Sequence, residues 1–368
     1  LYIDANGMPS GDPFVVNEAT AGFQSKPMVA GQQDGSVAVV WESKQNPEAP
    51  REVRGVVLNS QGQRGQEFAI GAPSEGELSV PYVTARAEGG FAVAWTEAGS
   101  PSAIYLQGFD RSGLLEGARI NLSNDEDLGL VNNQEVEIAQ LSSGGIISVW
   151  QSGFSSDDIF GKVTYLAARV PQDSPLKQLN TVEEGLQRNP GVTALPNDRF
   201  AVIYGDGFAN DGDRAGVFGE IYSADLTLVN SCEITTGIVG TQGFPHVAAA
   251  PNGNFMVLYR NPQNGITNAQ VLSPACEKLS SEISVGSAWN GLDVAADPSG
   301  NFWVVLSING RATLLRYDNL GTLLGSTVLF QGEVPTRTTL TTFGDGTAFV
   351  SWYNERVADS DIFGLYTD

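Results

Sequence analysis

An all-β fold made of seven similar units follows from three features of the sequence. A pattern of roughly fifty residues recurs from end to end, and each copy alternates apolar and polar residues with a period of two. The chain is also rich in turn formers, with 43 glycines and 18 prolines, while only 17% of its residues are charged. Short strands joined by tight turns call for that composition, whereas amphipathic helices would carry more charge and a period near 3.6. Four strands per unit, seven units and no helical period are the arithmetic of a seven-bladed β-propeller. A solenoid would repeat at shorter intervals, and a string of sandwich domains at nearly twice the interval.

The repeat is anchored by a large residue that closes an apolar strand. Trp41, Trp95, Trp150, Tyr204, Tyr259, Leu306 and Trp352 hold this position, at intervals of 54, 55, 54, 55, 47 and 46 residues. Ahead of each lies an alternating first strand: KPMVAGQQ, VPYVTARA, EVEIAQLS, NPGVTALP, FPHVAAAP, GLDVAADP and RTTLTTFG. Gly, Asn or Asp between the two strands predicts a two-residue hairpin turn, because such turns need positive φ. A longer polar loop leads to a third strand such as EVRGVVLN or DIFGKVTY, and a second turn to a fourth such as EFAIG or ARINLS. The large closing residues are expected to pack between blades.

The units run 23–73, 74–124, 125–183, 184–237, 238–286, 287–332 and 333–368, with residues 1–22 returning to complete the last. The seventh unit lacks a fourth strand, and GDPFVVN near the N-terminus aligns with that missing element. Head and tail pairing in one blade would close the ring and remove two open edges. LYID at the head and LYTD at the tail align with the same part of the third strand. Either LYID runs as a short extra edge segment or the head displaces the tail there, and the first is the expectation.

VWES or VWQSG, then DDIFG or DSDIFG, a DxxG turn, VN, and a Q-x-x-P-x-V-A start together resemble a propeller-type repeat of large secreted bacterial proteins. Those repeats are adhesin-like and often stand beside calcium-binding modules. The resemblance implies a secreted or cell-surface location and a role in adhesion or recognition. Units five and six depart from it, carrying Tyr259 and Leu306 in place of Trp and no acidic entry to the third strand.

Composition narrows the function. The 42 acidic and 20 basic residues give a formal charge of -22, which repels nucleic-acid phosphates and anionic membranes. No window approaches the roughly 18 consecutive apolar residues of a membrane-spanning helix, so no membrane insertion is expected. Two cysteines, Cys232 and Cys276, suit either one disulfide or two buried thiols. With a single histidine, His246, a zinc site is ruled out.

Loops joining second to third strands, and one blade to the next, emerge on one face, where a propeller normally holds its ligand. Several are acidic. Asp206, Asp211 and Asp213 in DGFANDGDRAG, Asp157 with Asp158, and Asp359 with Asp361 place oxygen donors as calcium coordination requires. Turn residues bonding their own backbone give the same pattern, and none of these stretches matches an EF-hand loop. Asp4 and Asn6 in DANG read as turn formers. His246 sits on a first strand, where it either lines the central channel or packs. Trp289 in SAWNGLD, on a loop of the ligand face, suits stacking on a sugar or on a neighbouring loop. Arg337 and Arg86 also lie on first strands, but no arginine cluster, nucleophile elbow or sialidase-type turn is visible.

The reading these residues favour is a non-catalytic extracellular module binding a glycan or a protein partner through the acidic loop face, with calcium as a candidate ion. The alternatives are a polysaccharide hydrolase or lyase using loop-face carboxylates, and a structural subunit of an extracellular assembly.

Overall fold

The computed structural model describes the chain except residues 1, 72–76, 125–127, 129, 154–156, 167–172, 182–184, 207–215, 236–242, 262–264, 288–291, 309–310, 332–334, 355–359 and 367–368. The described residues form strands and turns, with no helix. Seven antiparallel sheets result, each with its strands in chain order apart from the seventh. The innermost strands are Phe23–Gly31, Leu78–Ala85, Gln134–Gln140, Gln187–Leu195, Gly243–Ala249, Leu292–Ala296 and Pro335–Thr342. Each packs against the next, and the last packs against the first, so the ring is closed. This is a seven-bladed β-propeller.

The hairpin between first and second strands differs from the expected two-residue turn. In blade one, Gln32 and Ser36 pair across a three-residue loop whose last member, Gly35, sits at φ 82°. The same pair of backbone bonds recurs in blades two, three, five, six and seven. A type I turn followed by one left-handed residue explains why the glycine comes last. Blade four, with Asn197 and Asp198 both at positive φ, is the exception. Turns between third and fourth strands use a side chain instead. Asp110 Oδ1 accepts the amides of Ser112 and Leu114, and Asp318, Asn59 and Asp4 do the same in their blades, which accounts for DANG at the N-terminus.

The large closing residues have a specific place in the ladder. In blades one to five the first strand carries a β-bulge, and the two bulged residues oppose the single aromatic of the second strand. Lys26, Val80, Glu135, Asn189 and Phe244 take φ between 49° and 55° to make it. The aromatic cores are shut from solvent: Trp41, Trp95, Trp150, Tyr204 and Tyr259 are all 0% exposed. Trp41 Nε1 donates to Gln24 at 3.0 Å and Trp150 Nε1 to Asn133 at 3.1 Å, so two of these indoles satisfy their one donor.

Both ends of the chain build blade seven. Asp12–Val15 lies along Ile362–Tyr366, with Phe14 opposite Gly364 and Val15 opposite Phe363. On the second strand of this blade, Tyr353 and Trp352 oppose Ile362 and Phe363, whereas Phe349 and Ala348 oppose Tyr2 and Ile3. The third strand is therefore composite, its first part from the tail and its second from the head. This corrects the expectation for LYID, which does not run as an extra edge segment but takes the place along the second strand that the tail would otherwise hold. Burial explains the exchange. Ile3 is 0% exposed in the seam with Trp303 and Val305, where the aligned tail residue is the more polar Thr367. Tyr2 stacks on Phe343 at 5.6 Å and meets Phe349 edge-on at 5.2 Å.

Cys232 on the fourth strand of blade four is bonded to Cys276 in the last turn of blade five, with 5.7 Å between the Cα atoms. Of the two sequence readings, the disulfide is the one found.

Closure of the ring makes the head indispensable. A chain lacking residues 1–17 leaves blade seven with two unpaired edges and is expected to aggregate or lose its cooperative melt; a truncated chain that stays monomeric and melts like the parent would contradict the closure. Trp150→Ala is expected to cost about 3–5 kcal/mol in denaturant unfolding, since it empties a fully buried indole site.

Candidate site at the channel mouth

The bulge fixes which side chain faces the channel. The residue that opposes the position just before each closing residue is Met28, Tyr82, Glu137, Gly191, His246, Asp293 and Thr339 in blades one to seven. These seven form a ring, and several of them make contacts across the seams between blades. The Tyr82 phenol lies close enough to the Glu137 carboxyl to feel its charge. Glu137 Oε2 accepts the amide of Val192 at 3.2 Å. His246 Nδ1 lies 3.8 Å from Asp293 Oδ1, and Asp293 Oδ2 accepts from Thr339 Oγ1 at 3.0 Å and from the Leu340 amide at 2.9 Å. Gly191 interrupts the ring between Glu137 and His246. A side-chain carbon there would sit 3.6 Å from Glu137 Oε2, so the glycine leaves a gap beside that carboxyl.

A cavity of about 390 Å³ opens over this ring on the face where the first strands begin. Tyr82, Glu137, His246, Arg260, Arg337 and Lys26 line it. Lys26 is neutralised by Glu42 at 2.9 Å. Arg260 follows the closing residue of blade five and Arg337 opens the first strand of blade seven. Arg337 Nη2 has only the sulfur of Met28 at 4.0 Å, and the Arg260 guanidinium lies 6.0 Å over the Phe244 ring. Arg260 Nε is shut from solvent with no hydrogen-bond partner, and neither arginine has an ion-pair partner among the described residues.

Enclosure sets the proton affinities here. Removal from bulk water pushes the Glu137 carboxyl up to about 8 and that of Asp293 to about 6. The same enclosure, together with the positive charges of Arg337 and Arg260, pulls His246 down to about 3, so the imidazole is neutral at physiological pH. The Tyr82 phenol is held well above its ordinary range, first by desolvation and then by the Glu137 and Asp293 charges. These groups still face the lumen: 26% of the His246 side chain and 17% of the Asp293 side chain remain accessible. At neutral pH the mouth therefore presents a protonated carboxyl, a neutral imidazole backed by a carboxylate, a phenol and two guanidinium groups with no ion pair among the described residues.

Of the residues singled out from sequence, His246 and Arg337 belong to this site. Arg86 does not; it sits just past the far end of its strand, paired with Glu88 at 2.8 Å and with Glu116. Asp157 pairs with Arg188, Asp158 accepts from Gln178 at 3.1 Å and Asn180 at 2.9 Å, and Asp361 accepts from Asn17 at 2.8 Å. Asp206 is buried at the end of its strand. Trp289, Asp211, Asp213 and Asp359 lie outside the described residues. Among the described residues no group of three or more His, Cys, Asp or Glu side chains is arranged to hold a metal ion. Sequence reasoning missed Tyr82, Glu137, Asp293 and Arg260. The first three occupy the same repeat position as His246, and carrying the Pro-x-Val register of blades one, two, four and five into the other three first strands would have exposed them together.

The two carboxyls and the imidazole make opposite contributions to stability with pH. A carboxyl whose pKa is raised in the fold binds more protons folded than unfolded, so Glu137 removes stability as pH climbs from 4.5 to about 8, and Asp293 from 3.8 to about 6. His246, lowered from 6.5 to about 3, adds stability over that interval as pH rises. Between pH 6.5 and 8 the Glu137 effect stands alone. The melting temperature is expected to fall across that window, and Glu137→Gln to flatten the fall; an identical slope in the variant would contradict the assignment.

No family model and no curated protein matches the sequence. Solved structures do match. The chain is similar to the Dos1 propeller, with TM-score 0.58 and 11% identity over 99% of this chain and 96% of that one. It is similar to the polysaccharide lyase Uly1, with TM-score 0.55 and 11% identity over 100% and 94%. It is also similar to the α-L-arabinofuranosidase Arb93A from Fusarium graminearum, with TM-score 0.54 and 13% identity over 78% and 93%. At these identities the likeness establishes the shared propeller fold.

Proposed function

We propose that this chain is a polysaccharide-cleaving enzyme whose site is the mouth of the central channel. This adopts one of the alternatives read from sequence in place of a purely recognising module, and it moves the chemistry from the acidic loops to the first strands. The observation that carries it is the convergence of Tyr82, Glu137 and His246 on one cavity, with proton affinities set apart by their surroundings. A carboxyl held protonated near neutrality is suited to donate a proton to a leaving oxygen, and a neutral imidazole to accept one. The carbohydrate-active propellers among the similar folds lend support, because one is by name a polysaccharide lyase and another an α-L-arabinofuranosidase. A cavity of about 390 Å³ suits one or two sugar rings, within the size range of ligand clefts.

An extracellular setting belongs to the same reading. Polymers do not cross membranes unaided, and the Cys232–Cys276 disulfide suits an oxidising compartment.

The test is incubation with a panel of neutral and acidic polysaccharides, scoring new reducing ends. Cleavage of at least one is expected, with Glu137→Gln lowering the rate about 10²–10⁴-fold while the melting temperature stays near that of the parent. Binding to a polysaccharide with no new reducing ends on any member of the panel would return the chain to the recognition reading.

A further inference from the structure

The chain carries a formal charge of -22, yet the two guanidinium groups lining the channel-mouth cavity have no carboxylate within ion-pair distance among the described residues. Arg51, Arg54, Arg86, Arg119 and Arg188 lie within 4.0 Å of Asp or Glu oxygens. Arg64 and Arg316 donate to backbone carbonyls, and Arg111, Arg199 and Arg311 have no ion pair among the described residues either, but none of these five lines the cavity, as Arg260 and Arg337 do. Arg260 and Arg337 are also close enough for the charge of one to disfavour the charge of the other. Keeping two like charges enclosed and unpaired is costly, and the cost is relieved by an anion seated between them.

From this arrangement, and resting on the polysaccharide-cleaving reading above, we infer that the substrate is a uronate-containing polysaccharide whose carboxylate is held by Arg260 and Arg337 and whose chain is broken by elimination. A carboxylate is favoured over a sulfate ester by what surrounds the arginines. The carbon that bears a uronate carboxyl also bears a removable proton, and that proton would lie beside His246. Drawing the carboxylate charge onto two guanidinium groups stabilises the negative charge that develops when this proton leaves.

The bonds balance without water or any co-reactant. His246 Nε2 takes the proton from C5, Asp293 facing Nδ1 and so favouring the tautomer with Nε2 free. The C5–H electron pair becomes the C4–C5 double bond, the C4–O4 bond breaks, and Glu137 gives its proton to the departing O4. The products are an unsaturated uronide and a new chain end, and the glycosidic oxygen stays with the departing sugar. Seating the substrate carboxylate also offsets the two positive charges that depress the His246 proton affinity, so the base gains strength once substrate is bound.

The experiment uses the full chain with polygalacturonate, alginate and hyaluronan, whose uronates are linked through O4, beside neutral arabinan and a sulfated neutral galactan. Elimination is read from the ultraviolet absorbance of the conjugated double bond and from product mass. The expected result is unsaturated product from at least one of the uronate polymers and none from arabinan or the sulfated galactan. Arg337→Ala and Arg260→Ala should each lower that rate about 10²–10³-fold, with Arg337→Lys retaining more activity than Arg337→Ala. A melt near that of the parent shows that a variant has folded, and rescue by lysine separates charge from packing. Cleavage of arabinan or the sulfated galactan, or saturated products from a uronate polymer, would overturn the inference and leave polysaccharide cleavage standing. New reducing ends from no polymer would overturn both.

Discussion

The bulge that places two residues of each first strand opposite one large aromatic is the constraint from which the site follows. A regular ladder would alternate side chains without interruption, and a one-residue slip would turn each of them to the other face. The bulge inserts that slip at one chosen level in blades one to five. It demands left-handed backbone from Lys26, Val80, Glu135, Asn189 and Phe244, none of them glycine, and Val80 is β-branched besides. The blade before it helps to hold the strained residue. Glu42, next to Trp41, accepts the Val80 amide at 2.7 Å, and Gln151, next to Trp150, accepts the Asn189 amide at 2.9 Å. The W-E and W-Q pairs in the repeat are therefore clamps on the neighbouring blade, and the aromatic beside each clamp fills the space opposite the bulge.

The same device makes the channel mouth chemically mixed. Seven residues are presented at one level, and their identities differ from blade to blade because the backbone, not the side chain, maintains the geometry. Met28, Gly191 and Thr339 are inert, whereas Tyr82, Glu137, His246 and Asp293 form a nearly continuous titratable arc. Enclosure by the ring pushes that arc away from ordinary proton affinities. An acidic surface is no obstacle to an acidic ligand at such a place. At physiological ionic strength charges are screened over about 8 Å, so the local guanidinium groups outweigh the distant carboxylates.

Much of the fold was legible because periodicity reports backbone architecture. The seven closing residues fixed the number of blades, and the missing fourth strand beside an unpaired GDPFVVN pointed to closure by both termini. The overlap of LYID with LYTD was resolved by burial instead of pattern: Ile3 suits a sealed seam better than Thr367, and residues aligned by spacing alone do not reveal that. The site was legible only in part. His246 stood out as the single histidine, but Glu137 and Asp293 were lost among 42 acidic residues, and attention went to clusters in loops. The signal that would have found them was register: Lys-Pro, Val-Pro, Asn-Pro and Phe-Pro mark the bulge in blades one, two, four and five, and carrying that register into blades three and six lands on Glu137 and Asp293. Arg260 had no such flag, since it shares its position with Glu42 and Gln151 and changes that clamp into a cation.

Because the chain has one histidine, its imidazole gives a single set of resonances, and that signal reports directly on the central claim that an enclosed, cationic mouth is built to meet an anion. Nitrogen and proton chemical shifts of His246 followed against pH, with and without an oligogalacturonate, decide the matter. The account requires a neutral imidazole well below the usual 6.5, with Nδ1 protonated, and an upward shift of its titration when the acidic sugar binds. An imidazole that titrates near 6.5 and ignores the sugar would contradict it.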